Sequence, residues 1–400
     1  MPWKSSCLVN ERMKFVTRLE AGERMTDLTR ELGISRKTGY KIWKRYKKAG
    51  PTGLYDESRA PRSSPHRTTE AMVALILELK SKYPTWGAKK LRWRLRRDHR
   101  GLKVPSIDTI HRILARHNLV KTRRRRSRFT YNSGALQFST LPNDIWAVDY
   151  KGHFRLGAGP YCYPLTITDH ESRFLLACEA LDNTKALPAR HVFEQVFSEF
   201  GLPKVIRSDN GAPFASRGLL GLTKLSVFWL KLGIDLERIE PGHPEQNGRH
   251  ERMHFKLKNE TTRPAASNAL AQQERFDLFR DVFNCERPHE SIGMRPPAVV
   301  YRPSKRSYPT GGPADPEYPL HDITRRVHGG GLFRPPNTTK TYYLCHALSG
   351  ELVGLRELKD DCWLVSFAHV DLGVINLRTQ SFEPNDVLPT KPVPPSRPNW

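Results

Sequence analysis

Long hydrophobic runs are missing from this 400-residue chain; the longest apolar stretch, AMVALIL at 71–77, is far too short to cross a bilayer. The N-terminal segment MPWKSSCLVNERMK contains no apolar signal region. Cysteine is sparse and scattered (Cys7, Cys162, Cys178, Cys285, Cys345, Cys362), and without a C-x-x-C pair it gives neither a disulfide framework nor a zinc knuckle. A soluble protein of a reducing cytoplasm is the expectation. Acidic residues are scarce at one end only: residues 1–130 hold 34 Lys/Arg against 11 Asp/Glu, a net +23, while the remaining 270 hold 32 and 30, a net +2. Such an asymmetry points to a nucleic-acid-binding N-terminal part joined to a nearly neutral body, with an anionic membrane surface as the competing partner. Apolar residues at 38% and aromatics at 10% suffice for real cores, and the length suggests two to four domains.

Residues 8–50 read as three short helices. Gly33 falls in the turn before the third, Ser35 is its candidate N-cap, and Ile34, Tyr40, Trp43 and Tyr46 are candidate anchors. That is a helix-turn-helix layout presenting Arg36, Lys37, Thr38 and Lys41 to DNA, although a solvated basic helix would carry the same charge. A Ser/Pro/Arg-rich linker follows at 53–69. A second helix-turn-helix unit is expected over 70–120, with Lys89 and Lys90 in the basic segment WGAKKLRWRLRRDHRG and Arg112 near the groove-facing end of a helix begun by Pro-Ser. The run KTRRRRSR, with Arg123, Arg124, Arg125 and Arg126, is too dense in charge to fold alone; the linker 121–140 is expected to track phosphates.

From 141 to 305 the texture changes. DIWAVDYKGHFRL, YCYPLTITDH and SRFLLACEAL read as consecutive strands, after which helices alternate with the short strands KVIRSDN and IDLERIE, implying a mixed sheet flanked by helices. GLLGLTKLSVFWLKLG reads as one of the helices and NGRHERMHFKLKNETT as another. Short strand patterns over 316–382 suggest a small β-barrel, and 383–400 is a Pro-rich tail.

Three acids stand out. Asp149 lies inside the apolar strand IWAVDY, where a carboxylate is costly to bury without a partner. Asp209 ends a strand at RSDNGAPF, where Asp-Asn-Gly is also ordinary turn chemistry because Asn and Gly tolerate left-handed backbone. Glu251 falls one turn into the helix that follows PGHPEQNG. The intervals are 59 and 41 residues. Oxygen ligands without His or Cys at metal spacing suit magnesium or manganese rather than zinc. Two such ions about 3.5–4 Å apart could hold the attacking and leaving oxygens of an in-line phosphoryl displacement.

WAVDYKG, RSDNGAPF and PGHPEQNGRHERMH, followed by NCERPHESIGMRPPAVVY, resemble the signature blocks of bacterial insertion-sequence transposases of the DDE class, whose catalytic core is similar to ribonuclease H and retroviral integrase. The resemblance runs over nearly the whole chain. It implies a multidomain protein with all-α helix-turn-helix units, an α/β ribonuclease H-like core with a mixed sheet, and a small C-terminal β-barrel. It also implies that Asp149, Asp209 and Glu251 form a catalytic, metal-binding triad. The interval between Asp209 and Glu251 is several residues longer than in the best-known integrase-like members, the extra length falling in SRGLLGLTKLSVFWLKLG. The His/His/Cys/Cys zinc domain of the retroviral branch is absent.

Around the triad, Asn210 and Gly211 would let the chain turn away from Asp209. Asn247 and Gly248 open the Glu251 helix, with Asn247 as its cap or a DNA contact. Arg249, Arg252 and Lys256 on that helix would neutralise phosphates. His243, His250 and His254 read as packing or DNA-contacting groups rather than acid–base catalysts, and His289 in ERPHESIG is a signature without a derivable role. The implied activity is that of a polynucleotidyl transferase: water attack at an element end exposes a 3′-OH, which then attacks target DNA. Terminal inverted repeats and target DNA would be its partners, in a homodimer or larger assembly, in the cytoplasm beside the nucleoid. A DNA-binding regulator without catalysis, or a nuclease of the same fold that cuts without joining, are the alternatives.

Overall fold

The computed structural model describes residues 8–57, 67–120, 136–157, 159–240, 243–359 and 361–385. Most of the expected linker at 58–66, the basic run with Arg123 to Arg126, and the Pro-rich tail from 386 onward lie outside the described residues. The chain divides into two units, 1–69 and 70–400.

The first unit consists of α1 (Leu8–Glu20), α2 (Met25–Glu31) and α3 (Arg36–Ala49) around Phe15, Val16, Leu28, Ile42 and Leu54. Gly33 turns with φ 61°, and the Ser35 hydroxyl accepts from the Thr38 N–H at 3.2 Å, capping α3 as expected. Gly39 faces inward: a Cβ there would come within 2.7 Å of Met25 Sδ and Thr29 Cγ2, so only glycine lets α3 cross α2 this closely. With Gly39 and Ile42 inward, helical periodicity turns Arg36, Lys37, Tyr40 and Lys41 to solvent. Tyr40, expected as an anchor, therefore stands exposed on the basic face.

The second unit begins with α4 (Glu70–Lys82), α5 (Ala88–Asp98) and α6 (Ile107–Arg116). Ser106 caps α6 through the Thr109 N–H, at 3.2 Å. Their core of Ile76, Trp86, Leu91, Leu95 and Ile110 also takes in Val282 from further along the chain.

A six-stranded mixed sheet follows: β1 (Ile145–Tyr150), β2 (Phe154–Arg155), β3 (Tyr161–Asp169), β4 (Leu175–Leu181), β5 (Val205–Ser208) and β6 (Asp235–Arg238). The order is β2-β3-β1-β5-β6, with β4 also on β3; β1 runs antiparallel to β3 and parallel to β5. Trp146 and Val148 of β1 pack with α7 (Ala186–Phe200) and α8 (Lys224–Lys231) on one face, against Phe193, Phe197 and Trp229. On the other face lie α9 (Gly248–Thr261) and α10 (Ala269–Asp281), through Met253, Leu257, Phe276 and Phe279. The short α11 (Pro297–Val300) follows.

The segment read as one helix from Gly218 onward is broken. Leu219–Gly221 forms a 3-10 turn, and Thr223 with Ser226 makes a reciprocal cap that starts α8 only at Lys224. Leu220 and Leu222, in the extra length between Asp209 and Glu251, pack with α8 residues Val227 and Leu230 against the C-terminal strands. That double burial explains the unbroken run of buried residues from Leu225 to Leu230 in α8.

The C-terminal strands are β7 (Ile323–Arg326), β8 (Leu332–Phe333), β9 (Tyr342–Tyr343), β10 (Leu352–Lys359), β11 (Cys362–Phe367), β12 (Val370–Asn376) and β13 (Ser381–Pro384). They do not close into the expected barrel among the described residues: the sheet is an open path β13-β12-β11-β10-β7, with β8 and β9 a separate pair. The open sheet buries its apolar face on α8, which removes the need for closure.

One buried ion pair braces the edge of the central sheet. The Arg207 guanidinium on β5 meets the Glu237 carboxylate on β6, both almost fully buried, and each also bonds the Gln137 backbone. Replacing Glu237 with Gln leaves Arg207 buried without a counter-charge; chemical denaturation should register a loss of about 3–5 kcal/mol.

Candidate active site

The parallel pairing of β1 with β5 sets Ile145 beside Val205, Trp146 beside Ile206 and Ala147 beside Arg207. Extending that register two residues brings Asp149 level with Asp209, at the C-terminal ends of neighbouring parallel strands. Alternation along β1 turns Asp149 away from the Trp146–Val148 face and toward α9. There burial raises the Asp149 carboxyl to about 7, helped by the charges of Asp209 and Glu251 and opposed by Lys151. Asp209 is raised too, by burial, with the Gly211 N–H partly offsetting it. Its Oδ1 is buried and accepts no hydrogen bond. Glu251 is exposed, and among the described residues no three His, Cys, Asp or Glu side chains converge as a metal cage. The two aspartates are thus brought side by side, while the glutamate shares their field without closing on them.

Neither Asn210 nor Gly211 adopts the left-handed backbone expected of them. Gly211 lies close under the Asp209 carboxylate: a Cβ there would come 3.0 Å from Oδ2, so that side chain would have to shift by a few tenths of an ångström. Asn210 Nδ2 donates to the Ile239 carbonyl at 2.6 Å, tying the end of β5 to the chain after β6. Asn247 occupies the position before α9, but its side chain makes no capping bond; it is buried with Oδ1 unpartnered. Gly248 meets nothing that would exclude a side chain. The loop is closed instead by Gln246, whose Oε1 accepts from the Glu240 N–H at 2.8 Å.

What holds α9 to the sheet is a set of histidine–threonine bonds. His250, Met253, His254 and Leu257 form the buried stripe of α9, and Glu251, one residue round from His250, is thereby directed outward. Thr166, the register partner of Asp149 on β3, donates to the Asp149 carbonyl at 3.0 Å. Its single proton is thereby used, so it accepts from Nε2 of both His250 (2.7 Å) and His254 (2.6 Å). Thr168 then donates to His250 Nδ1 at 2.8 Å. Burial lowers both imidazoles, His250 to about 3, so both are neutral and each has one N–H to give. His254 Nδ1 is consequently a bare acceptor, 3.5 Å from Asp149 Oδ2, and brings that carboxyl no donor.

The two threonines were missed in the sequence, yet their signal was there: Thr166 and Thr168 alternate with Leu165 and Ile167 in a strand otherwise free of hydroxyls on that face. Of the expected DNA-contacting side chains, Arg36, Lys37, Lys41, Arg112, Arg249 and Arg252 are exposed. Arg249 also donates to the His170 carbonyl at 3.2 Å. Lys89 pairs with Glu290 at 3.2 Å, while Lys90 and Lys256 are partly buried. Replacing Thr166 with Val removes the shared acceptor of two buried N–H groups; differential scanning calorimetry should show a loss of about 2–4 kcal/mol without any change in the strand's β propensity.

Parts of the chain are similar to known protein families. A helix-turn-helix domain matches residues 11–62, a homeodomain-like domain 38–114, and an integrase core domain 139–244 and again 232–297. The insertion element IS476 uncharacterized 39.2 kDa protein of Xanthomonas euvesicatoria is 28% identical over 238 residues, 58% of this chain and 65% of its own length. The insertion element IS407 uncharacterized 31.7 kDa protein of Burkholderia multivorans is 23% identical over 240 residues, 59% of this chain and 82% of that protein. The chain thus spans about two thirds of the first of these relatives. Among solved structures, the magnesium-bound catalytic core domain of HTLV-2 integrase aligns with 17% identity and a TM-score of 0.33, covering 40% of this chain and 98% of that one.

Proposed function

We propose that this chain, an integrase-core protein with helix-turn-helix domains that resembles bacterial insertion-sequence transposases, cuts the ends of a DNA element and joins them to target DNA. The observation that carries the reading is the pair Asp149 and Asp209, level on adjacent parallel strands, with an Asp209 oxygen buried and unbonded. An all-oxygen donor set with a buried oxygen in want of a cation fits magnesium or manganese. Asp149, Asp209 and Glu251 are the residues that would hold it, Glu251 by swinging its longer, exposed arm inward. Bound there, the cation would activate the attacking oxygen and offset charge building on the phosphorus.

The chain's own groups supply the rest. The short aspartate arms are fixed by the strands, and the α9 backbone is held by His250 and His254 on Thr166 and Thr168. In the first step water attacks a phosphodiester at the element end, the P–O3′ bond breaks, and the free 3′-OH takes a proton. In the second, that 3′-OH attacks a target phosphodiester: a new P–O3′ bond forms, the target's own P–O3′ bond breaks, and the departing 3′ oxygen takes up the proton the attacking hydroxyl gives up. Arg249 and Arg252 flank Glu251 and would bind the backbone around the scissile phosphate. Helices α3 and α6 would read the terminal repeats, through Arg36, Lys37 and Lys41 and through Arg112. Two ends must be joined together, so a dimer or larger assembly forms on DNA.

Asp209→Asn keeps the shape and removes the charge. With a labelled terminal-repeat duplex, plasmid target and magnesium, wild type should nick and join, and the variant should lose at least about 100-fold in rate, by analogy with the loss of one electrostatic contact to a transition state. In the metal-free protein the same substitution should raise the melting temperature by about 2–4 °C, since it removes a desolvated carboxylate beside Asp149. Nicking without joining would make the protein a nuclease. Tight binding with no cleavage by either form would make it a regulator.

A further inference from the structure

Helix α9 directs Glu251 outward and, one turn further on, carries an aromatic ring that the chemistry above does not use. Phe255 is 58% exposed; among the described phenylalanines only Phe138 is more so, whereas Phe276, Phe279 and Phe283 join Met253 and Leu257 of α9 in the core. A single hydrophobic side chain on a surface is ordinary. What distinguishes Phe255 is its neighbours and the direction in which its helix holds it.

Buried His250, Met253, His254 and Leu257 occupy one side of α9, and the bonds of His250 and His254 to Thr166 set its roll. At about 100° per residue the opposite side falls to Arg252, Phe255 and Asn259, all exposed, with Glu251 at its border. Long helical side chains lean toward the N-terminus and lie over the turn before their own. The Phe255 ring therefore lies over the turn that bears Glu251, four residues back, and Arg252, three back. Of the two carboxylates on α9, Glu260 is taken up by Arg287 and Thr85, so Glu251 stands among the exposed bases Arg249, Arg252 and Lys258. The ring is thus an apolar face set into the surface that would meet a DNA backbone. One helical turn rises about 5.4 Å and a strand of DNA about 3.4 Å per nucleotide, so a phosphate held at the three acids has its own base, or the next one, level with the ring.

We infer that Phe255 holds open the base pair next to the scissile phosphate, by stacking on one of its bases while the phosphate sits at Asp149, Asp209 and Glu251. In a closed duplex both faces of each base are covered by its neighbours, and only an opened pair offers a face to the ring; apolar side chains inserted at a base step unstack it in this way. An aromatic ring accepts any base, so the role places no demand on sequence. The arginines beside it cannot perform this task, because phosphate contacts fix position without touching a base. The role rests on the reading of the chain as a transposase.

The test follows single-turnover cleavage of a labelled terminal-repeat duplex by the full chain in magnesium, on a fully paired end and on one mismatched at the pairs flanking the cleavage site. Wild type is compared with Phe255→Ala, Phe255→Leu and Phe255→Trp. On the paired end Phe255→Ala should be slower by about 5- to 150-fold, the range for losing one base–aromatic stack, with Phe255→Leu in between and Phe255→Trp at the wild-type rate. On the mismatched end the open state is populated without help, so Phe255→Ala should recover most of that loss. Since the ring is exposed, every variant should melt with wild type. A Phe255→Ala protein as fast as wild type on the paired end would overturn the role. So would one equally slow on both ends, which would make the ring a contact with no part in opening, and so would a lowered melting temperature, which would make it a packing residue. Wild type that cleaves neither end would overturn the transposase reading and this role with it, whereas wild type that cleaves both leaves that reading standing whatever Phe255→Ala does.

Discussion

Two carboxylates are held level and half-buried on neighbouring parallel strands, and burial is what first disfavours their charge. Backbone pairing fixes their spacing, since β1 and β5 cannot slip without turning Trp146 and Ile206 out of the core. The side chains therefore cannot relax apart by moving the strands. What remains is to leave the pair half-buried, with one Asp209 oxygen unbonded. A site tuned for stability would have placed a lysine or arginine between them. Here the nearest imidazole, His254, presents a lone pair instead of a proton. Burial disfavours the charge on both carboxylates, and Lys151 and the Gly211 N–H offset that only in part.

The second constraint is the roll of α9. An amphipathic helix held by Met253 and Leu257 alone could turn by a fraction of its circumference at little cost, because apolar contacts are non-directional. Hydrogen bonds from His250 and His254 to a single threonine oxygen are directional, and they set the rotation. Since Thr166 also bonds the Asp149 backbone, one hydroxyl links the strand that bears the first acid to the helix that bears the third.

Much of this was legible in the sequence because the relevant signals are local. Ser35 and Ser106 announce their helices, Gly33 its turn, and the alternation in IWAVDY gives both a strand and an acid facing away from Trp146. The illegible features depend on what lies across space. Gly211 reads as a turn glycine, and only the folded Asp209 side chain reveals how closely the two approach. Asn247 reads as a cap, but buried Gln246 closes that loop instead. The C-terminal strands read as a barrel because short alternating segments commonly close on themselves; α8, buried from Leu225 to Leu230, supplies the second layer that makes an open sheet sufficient. Its apolar excess was visible in KLSVFWLK, where six consecutive residues between two lysines are buried, more than one packing face can hold.

The same logic joins helices α4 to α6 to α9. Glu260, two and a half turns after Glu251 on α9, accepts from Thr85 just before α5 and from Arg287. Tyr83 and Arg94 reach Glu286, and Arg287 stacks on Trp86. Within the second unit, helices α4 to α6 are thereby held against α9. Because α9 carries Glu251 near one end and Glu260 near the other, a force on α5 is delivered to the helix that orients the third acid. Rigid helices transmit rotation over such lengths far better than loops do. The position of α5 and that of Glu251 are therefore tied through one helix, whose rotation the histidine–threonine bonds fix.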